Sequence, residues 1–180
     1  LQTVHLKGIC GVAWNTDIHC SPLDLELQAN SLAKLSPALQ NLPVSLGGTF
    51  RAIVDEISWD RAGIPAVNGS VVWTDGSVQT PIAVNLGGQY RARIKEGVGD
   101  QALNIALQSD QAKIVLDGKV DIEKDGQYQA ELFLKPSAEA DPSIAQGLSL
   151  LGAPQTDGSI RIKHAGQVPV PIQLSTSTPV

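Results

Sequence analysis

Two cysteines are the residues whose type and spacing most readily do chemistry in this chain. Cys10 and Cys20 lie in the segment ICGVAWNTDIHC, and in an oxidising compartment they would form a disulfide that closes a short hairpin-like loop. For a loop of this size the chain-entropy model gives about 2.5–3 kcal/mol of stabilisation. His5 and His19 lie nearby and raise a metal site as an alternative, although four ligands at a recognised spacing are absent. Two free buried thiols are the remaining alternative.

Residue types that commonly catalyse reactions are present, but not in catalytic patterns. Three histidines are scattered along the chain, and there is no GxSxG, P-loop, dinucleotide fingerprint or HExxH motif. Asp55-Glu56, Asp121 and Glu123 could be imagined in an acid–base pair. They alternate with apolar residues or lie at a bend, however, so a solvated face is the favoured interpretation. The sequence predicts a non-enzymatic protein without a cofactor; a hydrolase would need a base and a nucleophile in contact.

Composition narrows the class of protein. Of 180 residues 42% are hydrophobic, only 17% are charged and 4% are aromatic, a mixture typical of β-rich extracytoplasmic proteins. The net charge of −5 is dispersed, and no basic stripe is present. Nucleic-acid binding is therefore not expected, and the length favours one domain.

The elements that would position these residues are strands. From Leu86 to Leu134 apolar and polar residues alternate, with Gly or Asp-Gly between the runs, which indicates antiparallel strands with one covered face. We predict a mostly β fold: a long antiparallel meander curved into a groove or half-barrel, because a flat sheet would leave its apolar face wet. The residues expected to line that face are Tyr90, Ile94, Ile105, Val120, Ile122, Tyr128 and Leu132.

Two segments change to a helical period. One short helix is predicted over residues 31–42 and a second over 142–152, where Asp141 would cap the helix with its side-chain oxygen. The chain is then one domain with an N-terminal hairpin and helix (1–45), a main curved sheet (46–166) and an edge strand or tail (167–180). The residues predicted to share the face of the second helix are Ile144, Leu148 and Leu151.

Three positions interrupt the regular alternation. The phase shifts near Asp55-Glu56, which predicts a β-bulge. Asp75-Gly76 is a strong short hairpin signal. Phe133 falls on the polar side of its strand, so we expect either an exposed contact or packing against a terminal helix.

A set of strand-packing motifs runs from about Gly48 to Gly166: a Trp, a turn with Pro, a Gly-led strand ending in Trp, and strands that open Gly-x-Tyr. The positions that form this pattern are Trp59, Pro65, Gly69, Trp73, Gly88, Tyr90, Gly118, Gly126, Tyr128, Pro136, Leu148, Leu151 and Gly152. The pattern resembles that of the family of protein N of the bacterial type II secretion system. The early segment Gly11-Val-Ala-Trp14 also resembles the family.

The resemblance implies a bitopic inner-membrane protein whose periplasmic β domain is an accessory part of the secretion machinery. The implied partners are inner-membrane secretion proteins and the outer-membrane secretin. No run in the chain approaches the roughly 18 apolar residues that cross a bilayer, so a membrane anchor is expected ahead of Leu1. A periplasmic location would also allow a disulfide between Cys10 and Cys20.

A function of another class remains open at this point. An apolar concave face left uncovered would suit a periplasmic carrier of lipid or lipoprotein, whereas a face filled by side chains and covered by the second helix would not. Whether the apolar face is a closed core or an open groove therefore separates the scaffold from the carrier.

Overall fold

The computed structural model describes residues 5–12, 17–31, 45–59, 63–79 and 83–168. These residues form one antiparallel sheet of ten strands, which confirms the predicted mostly β meander. The strands are β1 (His5–Val12), β2 (Ile18–Gln28), β3 (Ser45–Trp59), β4 (Ala66–Gln79), β5 (Ala83–Asn85), β6 (Gln89–Glu96), β7 (Gln101–Asp110), β8 (Ile114–Glu123), β9 (Gln127–Pro136) and β10 (Ile160–Gln167).

The order of the strands in space follows their order in the chain. The path runs β1-β2-β3-β4-β6-β7-β8-β9-β10, and the short β5 pairs with the far part of β4. The first two strands therefore continue the same sheet as the rest. Within the described residues β1 and β10 each have one neighbour, so the sheet is not closed into a barrel, as a groove or half-barrel requires.

The strand register places the alternating residues on two faces. Since directly paired residues of antiparallel strands lie on the same face, each row of paired residues belongs to one face of the sheet. One row of the apolar face comprises Val54, Gly69, Ile94, Ile105, Val120 and Ala130. The adjacent row, on the polar face, comprises Ile53, Ser70, Arg93, Ala106, Lys119 and Glu131.

One α-helix, α1 (Pro142–Ser149), lies at the predicted second position. Its Ile144 and Leu148 are buried, as the helical spacing indicates. Leu151 was expected on the same face, but the helix ends before it and its side chain is 58% exposed. Most of the other predicted helix, 31–42, lies outside the described residues; Ala29–Ser31 form a single 3-10 turn before it.

The start of α1 differs from the prediction in one contact. Asp141 is the N-cap residue, but its side chain makes no capping hydrogen bond. The Asp141 carboxylate instead accepts a hydrogen bond from Lys113 Nζ at 2.7 Å, and this contact lowers the pKa of Asp141. A lysine on the β7–β8 loop competes successfully for the carboxylate because an ion pair with a hydrogen bond is stronger than a neutral N–H contact.

The two predicted irregularities have different outcomes. The register of β3 and β4 shifts between Val54 and Glu56, which confirms the β-bulge. The hairpin predicted at Asp75-Gly76 is wrong, because β4 continues through both residues. Asp75 has φ 53°, and β4 changes its partner from β6 to β5 there. The Asp-Gly pair supplies a left-handed kink within a strand rather than a chain reversal.

Candidate functional site

The residues expected to line a groove lie together on the apolar face, and all are half-buried. Ile94, Ile105 and Val120 are paired in one row across β6, β7 and β8. Ile122 is directly opposite Tyr128, in the next row. Fully buried core residues would lose all contact with water, whereas these keep part of it. The half-buried residues are Tyr90, Ile94, Ile105, Val120, Ile122, Tyr128 and Leu132.

Helix α1 packs on one end of this face. Ile144 and Leu148 are each 4% exposed, and they pack on Ile160 of β10, which is 3% exposed. We call this cluster and the half-buried residues around it the helix end; the surrounding residues are Val84, Ile114, Leu134, Ala140 and Ile162. We give the name open stretch to five half-buried residues of the face that lie outside that cluster: Ile94, Ile105, Val120, Ile122 and Leu132.

Three aromatic side chains form a ladder across β3, β4 and β6. Phe50 stacks on Trp73 with ring centroids 5.3 Å apart, and Trp73 tilts against Tyr90 at 5.6 Å. The Trp73 indole N–H donates to the carbonyl of Gly47 at 2.9 Å, and burial raises the pKa of the Tyr90 hydroxyl. Packing of this kind supplies apolar contact area together with preferred ring geometry, so these aromatics stabilise the sheet.

The glycines of the predicted motif lie at close approaches and turns. A Cβ on Gly69 would come within 2.5 Å of the backbone oxygen of Ile53, so β3 and β4 approach closely only because glycine is there. Gly88 has φ 56° before β6, a conformation that glycine adopts without strain. Gly118 lies within β8, and Gly126 lies in the β8–β9 turn.

Trp59, at the end of β3, borders a cavity at one rim of the sheet. The cavity has a volume of about 540 Å³ and is also lined by His19, Glu96, Gln101 and Lys124. The indole N–H of Trp59 is buried and has no hydrogen-bond partner among the described residues. The lining is mixed in charge, and no hydrogen bond between a nucleophile and a base is present among its described residues.

The sequence did not identify the role of Phe133. It lies on the polar face directly opposite Arg161 of β10, whose guanidinium carbon is 5.6 Å from the ring centroid. Arg161 Nε also donates to Glu131 at 2.6 Å, and this hydrogen bond lowers the pKa of Glu131. Phe133 is thus the platform for a cation–π contact. The β9–β10 register, which alternation alone does not give, is the signal that identifies it.

Cys10 and Cys20 are directly opposite each other on β1 and β2, where a disulfide joins them. Cys20 is buried, and neither cysteine is free. In the part of the chain that the structure describes, no three His, Cys, Asp or Glu side chains are grouped as metal ligands would be.

Comparison with known proteins assigns the family. The family model for type II secretion system (T2SS), protein N, matches residues 2–163. The chain belongs to this family. The resemblance seen in the strand motifs is confirmed, and membership connects the chain with the machinery of type II protein secretion.

Two curated relatives carry the same name. The type II secretion system protein N of Aeromonas hydrophila is 23% identical over 164 residues, which cover 91% of this chain and 64% of that protein. The one of Vibrio cholerae serotype O1 is 24% identical over 130 residues, 71% of this chain and 50% of that protein. The chain thus spans between half and two thirds of the length of these relatives. No solved structure matches the chain, and no described helix has the length and apolar character needed to cross a membrane.

Proposed function

We propose that this protein is a non-enzymatic accessory component of type II secretion, a periplasmic scaffold or adaptor between inner-membrane components and the outer-membrane secretin. The observation that carries the proposal is an open sheet in a chain of the protein N family, in which β1 and β10 each have one neighbour among the described residues. A free edge strand offers backbone donors and acceptors to an added strand of a partner. The Cys10–Cys20 disulfide supports an oxidising compartment.

The test uses the full-length protein in cells with an active type II system. After cross-linking in living cells, the affinity-tagged protein is isolated from membranes and its partners are identified by mass spectrometry. Co-isolation of inner-membrane secretion proteins and the secretin, together with loss of secretion when the gene is deleted, is the expected result. If deletion leaves secretion intact and neither class of partner is cross-linked, the adaptor function is wrong.

A second candidate is a carrier of lipid or lipoprotein on the apolar face. It is favoured by one observation: the open stretch is half-buried and lies outside the cluster that α1 covers. Covering such a face with acyl chains would remove its apolar side chains from water, at about 25 cal/mol for each Å² buried.

Native mass spectrometry of the protein purified from membranes distinguishes the carrier. Ile105→Gln on the apolar face is compared with Ala106→Gln, which changes the next residue of the same strand on the polar face. A carrier retains lipid in the wild type and the A106Q variant and loses it in the I105Q variant. Lipid-free wild-type protein would refute the carrier and leave the adaptor in place.

A further inference from the structure

Strand β10 is the more regular of the two edge strands of the sheet as far as the structure describes it. It pairs with β9 through eight consecutive residues, from Ile160 to Gln167, without a bulge. At the other edge, β1 shifts register between Gly8 and Cys10. Bulges are one device that keeps other strands from adding to an edge. Of the two edges, β10 is therefore the one shaped to receive another strand.

The backbone groups that β10 offers can be assigned from the register. The N–H of Val168 donates to the carbonyl of Gly126 at 2.9 Å, and this pair continues the β9–β10 register. In an antiparallel ladder hydrogen-bonded and non-hydrogen-bonded pairs alternate, so even-numbered residues of β10 bond to β9. The odd-numbered residues direct N–H and C=O groups to the free side; they are Arg161, Lys163, Ala165 and Gln167.

The charge of β10 specifies the chemistry of a partner. The strand carries Arg161, Lys163 and His164 and no carboxylate. Both Arg161 and Lys163 reach one acid on β9, Glu131, and the Lys163 side chain remains 64% exposed. One ionised carboxylate thus faces two permanent cations. An acidic residue directly opposite Lys163 on an added strand would be favourable, and a basic one unfavourable.

On the apolar face of the sheet, β10 favours an added strand that carries apolar residues. Ile162 lies at the end of the row that contains Leu132, and it is half-buried. An apolar residue opposite Ile162 would extend the apolar face by one strand. Self-pairing of two β10 strands is disfavoured because it would bring the cations of both copies together.

We propose that the free edge of β10 binds an extended protein segment in which apolar and acidic residues alternate, adding it to the sheet as a further strand. This inference rests on the proposed adaptor function, since it names the surface and the kind of partner segment through which an adaptor would act. Backbone hydrogen bonds supply the attachment, and Lys163 with Ile162 supplies the selectivity.

Synthetic peptides test the edge directly. One fluorescently labelled nine-residue peptide alternates valine with glutamate, and a matched peptide alternates valine with lysine. We expect the glutamate peptide to bind at least about tenfold more tightly by anisotropy, the ratio that about 1.4 kcal/mol gives. It should also slow hydrogen exchange at the outward amides of Lys163 and Ala165. Equal affinity of the two peptides, or protection confined to other strands, would overturn the proposal.

Two variants and one matched control locate the binding edge. Ala165→Pro removes an outward N–H without changing charge or a β9–β10 ladder bond, and proline is tolerated at such edge positions. Lys163→Glu reverses the charge, and Lys119→Glu is its control, because Lys119 lies two strands away on the same face and is also 64% exposed. We expect A165P and K163E to weaken glutamate-peptide binding about tenfold and K119E to leave it unchanged. Unchanged binding in K163E refutes the edge assignment even if A165P fails to fold.

The same variants separate this inference from the adaptor function. If the wild-type protein co-isolates with secretion components and K163E does so equally, the β10 assignment is wrong and the adaptor stands. If the wild type binds the glutamate peptide but no secretion component is cross-linked, the adaptor fails while the edge remains a strand-binding site.

Discussion

The helix end and the open stretch are two regions of one apolar face that share a sequence pattern and differ in what covers them. At the helix end Ile144, Leu148 and Ile160 are at most 4% exposed. On the open stretch no residue is buried to that degree. Alternation therefore identifies a face, but burial depends on whether a second layer is present. The helix end is tightly packed, whereas the residues of the open stretch are only half-buried.

The largest expected difference between the two regions is the loss of unfolding free energy when one leucine in each is replaced by alanine. Leu148→Ala should lower the free energy of unfolding by about 3 kcal/mol, since it leaves a cavity in a buried cluster. Leu132→Ala should cost only about 1 kcal/mol, because its side chain already contacts water. Urea denaturation measures both. Equal losses would show that the open stretch is covered as completely as the helix end, and the comparison would fail.

Removal of the disulfide tests a region remote from α1. The double variant with Cys10→Ser and Cys20→Ser should lose about 2.5 kcal/mol of unfolding free energy, because its unfolded chain is not cross-linked and has a higher conformational entropy. Hydrogen exchange should increase in β1 and β2 and stay unchanged in α1. A simultaneous increase in α1 would mean that the two ends of the sheet unfold as one unit.

The two half-buried tryptophans of β3 and β4 provide a smaller, matched comparison. Trp73→Phe removes the hydrogen bond to the Gly47 carbonyl and should cost about 1 kcal/mol more than the loss of ring area alone. Trp59→Phe removes an indole N–H that has no acceptor in the described part of the chain, so no such excess is expected. Thermal unfolding of both variants measures the difference, and similar losses would contradict the assigned hydrogen bond.

Acidification should destabilise the helix end, and this is the smallest of the expected effects. The pKa of Asp141 is lowered by the hydrogen bond from Lys113, so its contribution is present above the unfolded-state pKa and is lost as the pH falls through the folded one. We expect hydrogen exchange in α1 to rise below about pH 4 and Asp141→Asn to abolish this pH dependence. Exchange that responds to acid equally in D141N would assign the effect to another carboxylate.

The sequence predicted the elements that depend on local pattern. Alternation located the strands, a phase shift located the bulge at Val54–Glu56, and Asp141-Pro142 located the start of α1. Local signals failed where a distant group competed. Asp75-Gly76 kinks β4 instead of reversing it because β5 and β6 share that strand, and Lys113 draws the Asp141 carboxylate away from the helix.

The arrangement of the candidate site depends on which residues of neighbouring strands are paired. Local sequence patterns do not specify this pairing. Lining residues such as Ile105 and Val120 were predicted as one set, and the structure places them side by side. Their half-burial could not be predicted, since it depends on where α1 docks. The Phe133–Arg161 contact likewise requires the pairing of β9 with β10.

The agreement between strand order and chain order has a kinetic consequence. Because each strand pairs with its neighbour in sequence apart from the small detour through β5, most long strands close a short connection when they join the sheet. The connections between β2 and β3 and between β9 and β10 are longer. Pairing between strands that are adjacent in sequence favours faster folding than pairing between strands that are distant in sequence. The sheet can nucleate at one hairpin and grow strand by strand, as repeat proteins grow by units. Unfolding should then proceed from the margins inward, with β1 restrained by its disulfide and β10 by the docked helix.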